Sequence, residues 1–247
     1  MVDSSPGRSL QTTARCAVTV ALWLTVLVSL ATAQQNDPLM LDQNRVERDF
    51  LEDHGFLAST GRTLPKGAGW ISAVVTPGVA AFGYGITDRL TVAAGSPVWT
   101  PFAGGLVLFA SVKYGVLRTP FAHLSVGAFG ITAGTRDDLF GGAWPFASVS
   151  LGPPIFTVGG TVGVGVSSEI FDGNLTGDVS LQGTVESRVG RNLKLIVETL
   201  YLGNDSDPAA AAGFRFFREH FAFELGVVRI FQSEDPILPW LKLSLGR

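Results

Sequence analysis

From Ala68 to Arg247 the chain is a succession of short runs in which apolar residues alternate with small or polar ones. In Val179–Val189 one face carries Val179, Leu181, Val185 and Val189, and the other Ser180, Gln182, Thr184, Glu186 and Arg188. In Phe156–Val166, Val158, Val162, Val164 and Val166 stand opposite Thr157, Gly159, Thr161, Gly163 and Gly165. A period of two puts such sets on opposite faces of a strand. Phe221–Phe231 begins in the same way, but strict alternation puts Arg229 on its apolar face. Either Arg229 snorkels at a strand end, or a bulge near Val227-Val228 reverses the phase.

Alternation suits a soluble sandwich and a membrane barrel equally, because in one the apolar face meets a core and in the other lipid. The connections separate them. Five are short: Thr87–Arg89, Leu117–Pro120, Gly152–Pro154, Gly190–Asn192 and Arg218–His220. Between and after them lie longer ones: Ser96–Gly104, Gly134–Gly141, Ser168–Asn174, Gly203–Pro208 and Gln232–Pro239. Short turns at one end and long loops at the other characterise an outer-membrane barrel. A Greek-key sandwich gives no reason for that rhythm. The expected fold is all-β, a closed antiparallel up-and-down transmembrane barrel of about 12 strands occupying residues 68–247, with both chain ends on the short-turn side. The strands are expected at 69–76, 79–86, 90–95, 105–116, 121–133, 142–151, 155–167, 175–189, 193–202, 209–217, 221–231 and 240–246. Pro77-Gly78 breaks the rhythm, being a short connection on the long-loop side, so counts of ten or fourteen stay open.

The N-terminus changes the address. Arg8 and Arg15 precede an apolar run from Cys16 to Leu30, and Ala31-Thr-Ala33 supplies a small-x-small site, so residues 1–33 read as a signal peptide cleaved after Ala33. Cys16, the one cysteine of the 247 residues, would leave with it. Residues 34–67 read as a periplasmic segment, with a short helix at Asn44–Asp53 or an inward plug as the alternatives. Charged residues make up 16% of the chain and the net charge is −3. Soluble domains carry about 25% charged residues. With no basic stripe, a nucleic-acid partner is excluded.

The strand charges are the main candidates for a functional lining. Lys113, Glu186, Arg188, Lys194, Glu198, Arg215, Glu224 and Lys242 fall opposite the apolar faces, hence in the lumen. A charge on the lipid face would cost roughly 2–4 kcal/mol near the midplane. A Glu198–Arg215–Glu224 lattice is expected, provided the turn near Arg218 has two or four residues. Trp70, Trp99, Trp144 and Trp240 are expected at strand ends as interfacial aromatics. The long loops are acidic, holding Asp137, Asp138, Glu169, Asp172, Asp205, Asp207, Glu234 and Asp235 against Arg136.

No catalytic or metal-binding constellation emerges. His54, His123 and His220 lack metal-ligand spacing. His123 and Ser125 share a strand face but have no orienting third group. No enzyme, cofactor or metal is expected.

Two stretches carry a resemblance. Phe56-Leu-Ala-Ser-Thr-Gly-Arg-Thr-Leu-Pro-Lys-Gly-Ala-Gly-Trp70 resembles the segment "PTgRxLpkGegy" that leads into the first strand of a group of uncharacterised bacterial outer-membrane-type barrels. Tyr84-Gly-Ile-Thr-Asp-Arg-Leu-Thr-Val-Ala-Ala-Gly95 is similar to their "YGiTDrlslgaG" hairpin. Ser59 and Ala68 depart from the pattern, where that group has Pro and an acid. The resemblance implies a barrel and brings no catalytic residue or cargo.

The expectation is thus a narrow channel or small-solute transporter of the bacterial outer membrane, since about twelve strands exceed the roughly eight that side chains can just fill. The alternative is a non-conducting structural or surface-interaction barrel binding cations, lipopolysaccharide or a partner through its acidic loops. Lipid, lipopolysaccharide and the barrel-assembly machinery are the expected partners, although Leu245-Gly-Arg247 departs from the usual terminal aromatic. The sequence leaves the oligomeric state open.

Overall fold

The computed structural model describes residues 49–55, 59–75, 78–98, 105–134, 139–167, 177–201, 208–231 and 237–247. Residues 1–33, expected to be a signal peptide, Trp99 and the acidic loop residues named above lie outside them.

Twelve strands form the wall: β1 Gly69–Val74, β2 Val79–Thr87, β3 Leu90–Pro97, β4 Leu106–Arg118, β5 Ala122–Gly134, β6 Leu139–Leu151, β7 Phe156–Ser167, β8 Gly177–Gly190, β9 Leu193–Tyr201, β10 Ala209–Arg218, β11 Phe221–Ile230 and β12 Leu238–Gly246. Each pairs antiparallel with its sequence neighbours, and β1 pairs with β12 from Trp70↔Gly246 to Val74↔Lys242, which closes the barrel. Closure satisfies every strand edge, as backbone surrounded by lipid requires. Both ends of the barrel wall lie on the short-turn side, where Gly69 and Arg247 exchange backbone hydrogen bonds of 3.1 and 2.9 Å.

The short turns carry the irregular chemistry. Register shifts occur between Gly85 and Thr87, Gly115 and Leu117, and Arg188 and Gly190, each beside a short turn. Bulges at a barrel rim add twist and re-aim side chains. Gly152, at φ 113°, holds a conformation that side-chain-bearing residues rarely adopt. Its N–H donates to the Phe121 carbonyl at 2.8 Å and ties two turns together. On the long-loop side the end of β1 pairs with the start of β2, Val74 opposite Val79.

Two strands start earlier than expected: β6 at Leu139 and β12 at Leu238. Gly141 and Pro239 read as loop residues, yet the neighbouring strands extend far enough to pair with them, Gly141 with Thr132 and Pro239 with Val227. Pro145 also lies within a strand. Pairing of β6 with β7 is interrupted at Trp144-Pro145, where the missing N–H removes a ladder bond.

The outward face is apolar, as on β4 with Leu106, Leu108, Val112, Tyr114 and Val116, or β7 with Val158, Val162 and Val164. Arg229 points outward beyond Val227 with no bulge, because the β10–β11 register runs unbroken from Ala209↔Ile230 to Arg218↔Phe221. It sits one residue from the end of β11, with its guanidinium 5.6 Å from the Phe231 ring centroid. Snorkelling, not a phase change, accounts for it.

The three described tryptophans of the expected girdle, Trp70, Trp144 and Trp240, do not face lipid. Trp70 pairs across β1–β2 with Gly83, and its indole fills the space a Cβ there would occupy. Trp144 lies beside Phe129, at 5.9 Å between centroids, and Trp240 packs on buried Ile196 and Ala211. All three share the parity of the inward residues. Proximity to a strand end does not specify a face, and Gly83 leaves room inside for the Trp70 indole. The exposed aromatics near the short turns are instead Tyr84, Tyr114, Phe121, Phe216 and Phe221. Accordingly, a Trp99→Phe variant in brominated-lipid bilayers should lose only a minor part of its tryptophan fluorescence. Strong quenching would put the indoles in lipid.

Candidate functional site

Asp49 to Gly67 run inside the barrel. They belong with the wall to one unit, Val46–Arg247. The expected helix at 44–53 is not formed in its described part: Asp49–His54 make overlapping turns, with Glu52 N–H donating to the Asp49 carbonyl and His54 N–H to that of Leu51. Residues 44–48 lie outside the described region. The described residues of this segment, 49–55 and 59–67, pack against inward residues of the wall.

Its hydrophobic anchor is Leu51. This side chain and Leu64 pack against inward Trp70, Phe217 and Ala222 to form a dry cluster within the bore. Fully burying a leucine contributes about 1.5–3 kcal/mol. The polar anchor is a charge lattice. Arg215 donates from Nε to Glu224 Oε1 at 2.7 Å, and from Nη1 to Asp49 Oδ2 at 3.1 Å. It also reaches the carbonyls of Leu51 and His54, at 3.0 Å each. Lys194 bridges Asp49 Oδ2 at 2.7 Å and Glu186 Oε2 at 3.0 Å. Lys242 lies 3.4 Å from Glu224 Oε1 and donates to His54 Nε2 at 2.7 Å. Lys113 donates to the carbonyls of Asp53 and Thr60 at 2.6 and 3.2 Å. Arg215 and Glu224 are wholly buried. Buried ions persist only where geometry and further hydrogen bonds offset their desolvation.

All eight sequence-predicted lattice residues therefore turn inward, but not in the expected pairing. The turn after Arg218 has two residues, Glu219-His220, which places Arg215 opposite Glu224. Glu198 is not Arg215's other neighbour. It lies opposite Ala211, four strand positions or roughly 13 Å along β10, while Lys194 is opposite Arg215. The β9–β10 register decides this. Glu198 instead abuts Gly55, whose missing side chain leaves room for its carboxylate. The second carboxylate on Arg215 is Asp49. Strand periodicity gave no signal for Asp49, which is not on a strand. Arg188 stands 4.8 Å over the Phe217 ring and donates to the Arg191 carbonyl at 3.2 Å.

Burial would push the Asp49 carboxyl up, but Lys194 and Arg215 outweigh it and hold it well below the usual carboxylate range. Burial acts likewise on Asp53, and the His54 ring and Lys113 bring it down to about 2.

The segment leaves along β3–β7. Thr161 Oγ1 donates to the Ser59 carbonyl at 2.8 Å, Gly61 N–H to Ser150 Oγ at 2.8 Å, and Leu64 N–H to Thr91 Oγ1 at 2.8 Å. Arg62 joins Glu52, at 2.7 Å, to Thr157, at 3.2 Å. Thr63 Oγ1 and Lys66 N–H bond to Asp88, and Gly67 and Gly85 bond through N–H and carbonyl groups to this exit. The two stretches that carry the family resemblance are thus halves of one structural unit, the exit strap and the β2–β3 turn that clamps it. Gly61 and Gly85 are needed there because a Cβ would strike backbone, at Ser150 and Pro65 respectively.

Beside the segment a cavity of about 490 Å³ remains in the bore. Asp53, His54, Gly55 and Ser59 form its floor, Phe129, Trp144 and Phe146 one arc, and Thr161, Ser180 and Gln182 the next. His123 and Ser125 make no hydrogen bond to one another among the described residues; Ser125 Oγ is directed at the Thr60 carbonyl, at 3.5 Å.

No family model matches this chain, and no curated protein does. Solved structures do. The KdgM porin superposes with a TM-score of 0.52 at 7% identity, over 72% of this chain and 96% of that one. The NanC porin gives 0.45 at 9% identity, over 72% and 97%. The fold is that of a bacterial outer-membrane β-barrel. At such identities the likeness concerns architecture alone.

Proposed function

We propose that this barrel is a narrow outer-membrane channel for small solutes, with its own residues 49–67 as a removable closure. The observation that carries the reading is the division of the bore. One half is filled by a separate chain segment, while the other keeps a 490 Å³ cavity walled by residues such as Thr91, Ala93, Ser111 and Ser180. A scaffold barrel of about eight strands, filled by its own side chains, would leave no such space. In this reading the leader is removed after Ala33, the barrel-assembly machinery inserts the mature chain, and the acidic loops meet lipopolysaccharide outside. The resembling group of barrels would share the clamped strap.

The charges at the cavity floor are already engaged: Lys113 by plug carbonyls and Asp53 by His54. Rings beside hydroxyl and amide groups then favour small neutral solutes over ions. Planar-bilayer recordings should show discrete openings with weak ion preference, a cation-to-anion permeability ratio within about threefold of one. Absence of any conductance, both intact and after removal of the segment, would leave a structural barrel.

A further inference from the structure

His54 lies at the junction of plug and wall, and both its ring nitrogens are engaged. Nδ1 is 2.9 Å from Asp53 Oδ1. Nε2 is 2.7 Å from Lys242 Nζ. An ammonium is a donor only, so Nε2 must be the acceptor and Nδ1 the nitrogen that carries the proton. The contact fixes a neutral imidazole in one tautomer. A second proton would sit on Nε2, pointing at the Lys242 ammonium. The ring cannot turn aside, being held 4.6 Å from the Trp70 indole while Arg215 Nη2 holds its carbonyl at 3.0 Å.

We infer that His54 is an acid-sensitive latch, and that its protonation expels the plug and opens the channel. The inference rests on the channel reading above and specifies its regulation. Each element around the ring contributes to the balance. Lys242 of β12 and Arg215 of β10 oppose protonation, while Asp53 of the plug and Glu224 of β11 favour it. Lys113 of β4 is turned to the Asp53 carbonyl, and Glu198 of β9 lies beside Gly55. Burial first and Lys242 next hold His54 below its ordinary 6.5, against the pull of Asp53. A group held below its free value stabilises the plugged state above that free value and ceases to do so as pH falls. The latch therefore loosens below pH 6.5, the side on which the released histidine binds its proton more readily. Asp53, at about 2, takes no part there.

The test is open probability of the purified full-length barrel in planar bilayers, from about pH 7.5 to about pH 5, where one proton changes the ratio of open to closed by up to about tenfold per unit. A rise of about tenfold or more is expected below pH 6.5. His54→Gln, whose amide can accept from Lys242 without titrating, should stay closed and flat over that range. His123→Gln, which removes the other inward histidine, should keep the rise. The latch is refuted by an unchanged rise in His54→Gln, by loss of the rise in His123→Gln alone, or by a flat wild type whose plug-deleted form conducts. If the plug-deleted form is silent too, the channel reading falls with it.

Discussion

Deleting residues 34–66 is expected to raise single-channel conductance by at least about tenfold, since a twelve-stranded bore is wider than its wall side chains fill. The segment occupies the bore where Arg215, Glu224, Phe217 and Ile196 are completely buried. No wall residue replaces it: inward positions at that level include Ala211, Gly213, Ala222 and Ser244. The barrel should still close, because its ladders and the β1–β12 seam involve no plug residue. The wall also keeps its own ion pairs, Arg215 with Glu224 and Lys194 with Glu186. What is lost is the contact of Leu51 and Leu64 with Trp70, Phe217 and Ala222, a few kcal/mol by apolar area. The variant should therefore unfold at lower urea while migrating as a folded barrel. A folded, conductance-neutral variant would refute the role of the segment as closure.

Arg215→Met is expected to cost the plugged barrel about 3–5 kcal/mol, the range for breaking a buried ion pair by removing one partner. Four acceptors depend on this guanidinium: Glu224, Asp49 and the carbonyls of Leu51 and His54. Lys242 at 3.4 Å is a poor substitute for Glu224, and Asp49 keeps Lys194 alone. Urea unfolding of the detergent-solubilised protein reads the loss. Adding Glu224→Gln should recover part of it by removing the stranded charge, whereas Arg218→Met, at the exposed strand end, should stay within about 0.5 kcal/mol of wild type. Equal effects at both arginines would mean the lattice contributes nothing specific.

Much of this barrel is legible along the chain because lipid imposes a simple rule. Each strand must present apolar residues outward and may place charge only inward, so alternation alone assigns Lys113, Glu186, Arg188, Lys194, Glu198, Arg215, Glu224 and Lys242 to the bore. Connection lengths supply the rest, twelve strands with both ends on one side. Arg229 shows how local that rule is: the sequence left two explanations, and only an unbroken β10–β11 register chose between them.

Partnership is a different matter. The face of a residue depends on its own strand, but its neighbour depends on register, which a loop of one length or another can shift. Glu198 and Lys194 differ by four positions on one face, and sequence alone could not say which lies opposite Arg215. The expectation for Trp70, Trp144 and Trp240 failed for a related reason, since nearness to a strand end is one-dimensional information, whereas room inside for the Trp70 indole comes from Gly83 on the neighbouring strand. Asp49, Asp53 and His54 lie on no periodic element, and their roles come wholly from contacts across some 60 to 190 positions of chain, as with Asp49 and Lys194 or His54 and Lys242. By itself the sequence determined a closed barrel of about twelve strands and which charges face inward, because those follow from period and solvent. Only the tertiary structure decided that the count is twelve, that residues 49–55 and 59–67 pack against the inner wall and which charges hold them, because folding a non-repeating strap into a lumen depends on long-range contacts that no local pattern encodes.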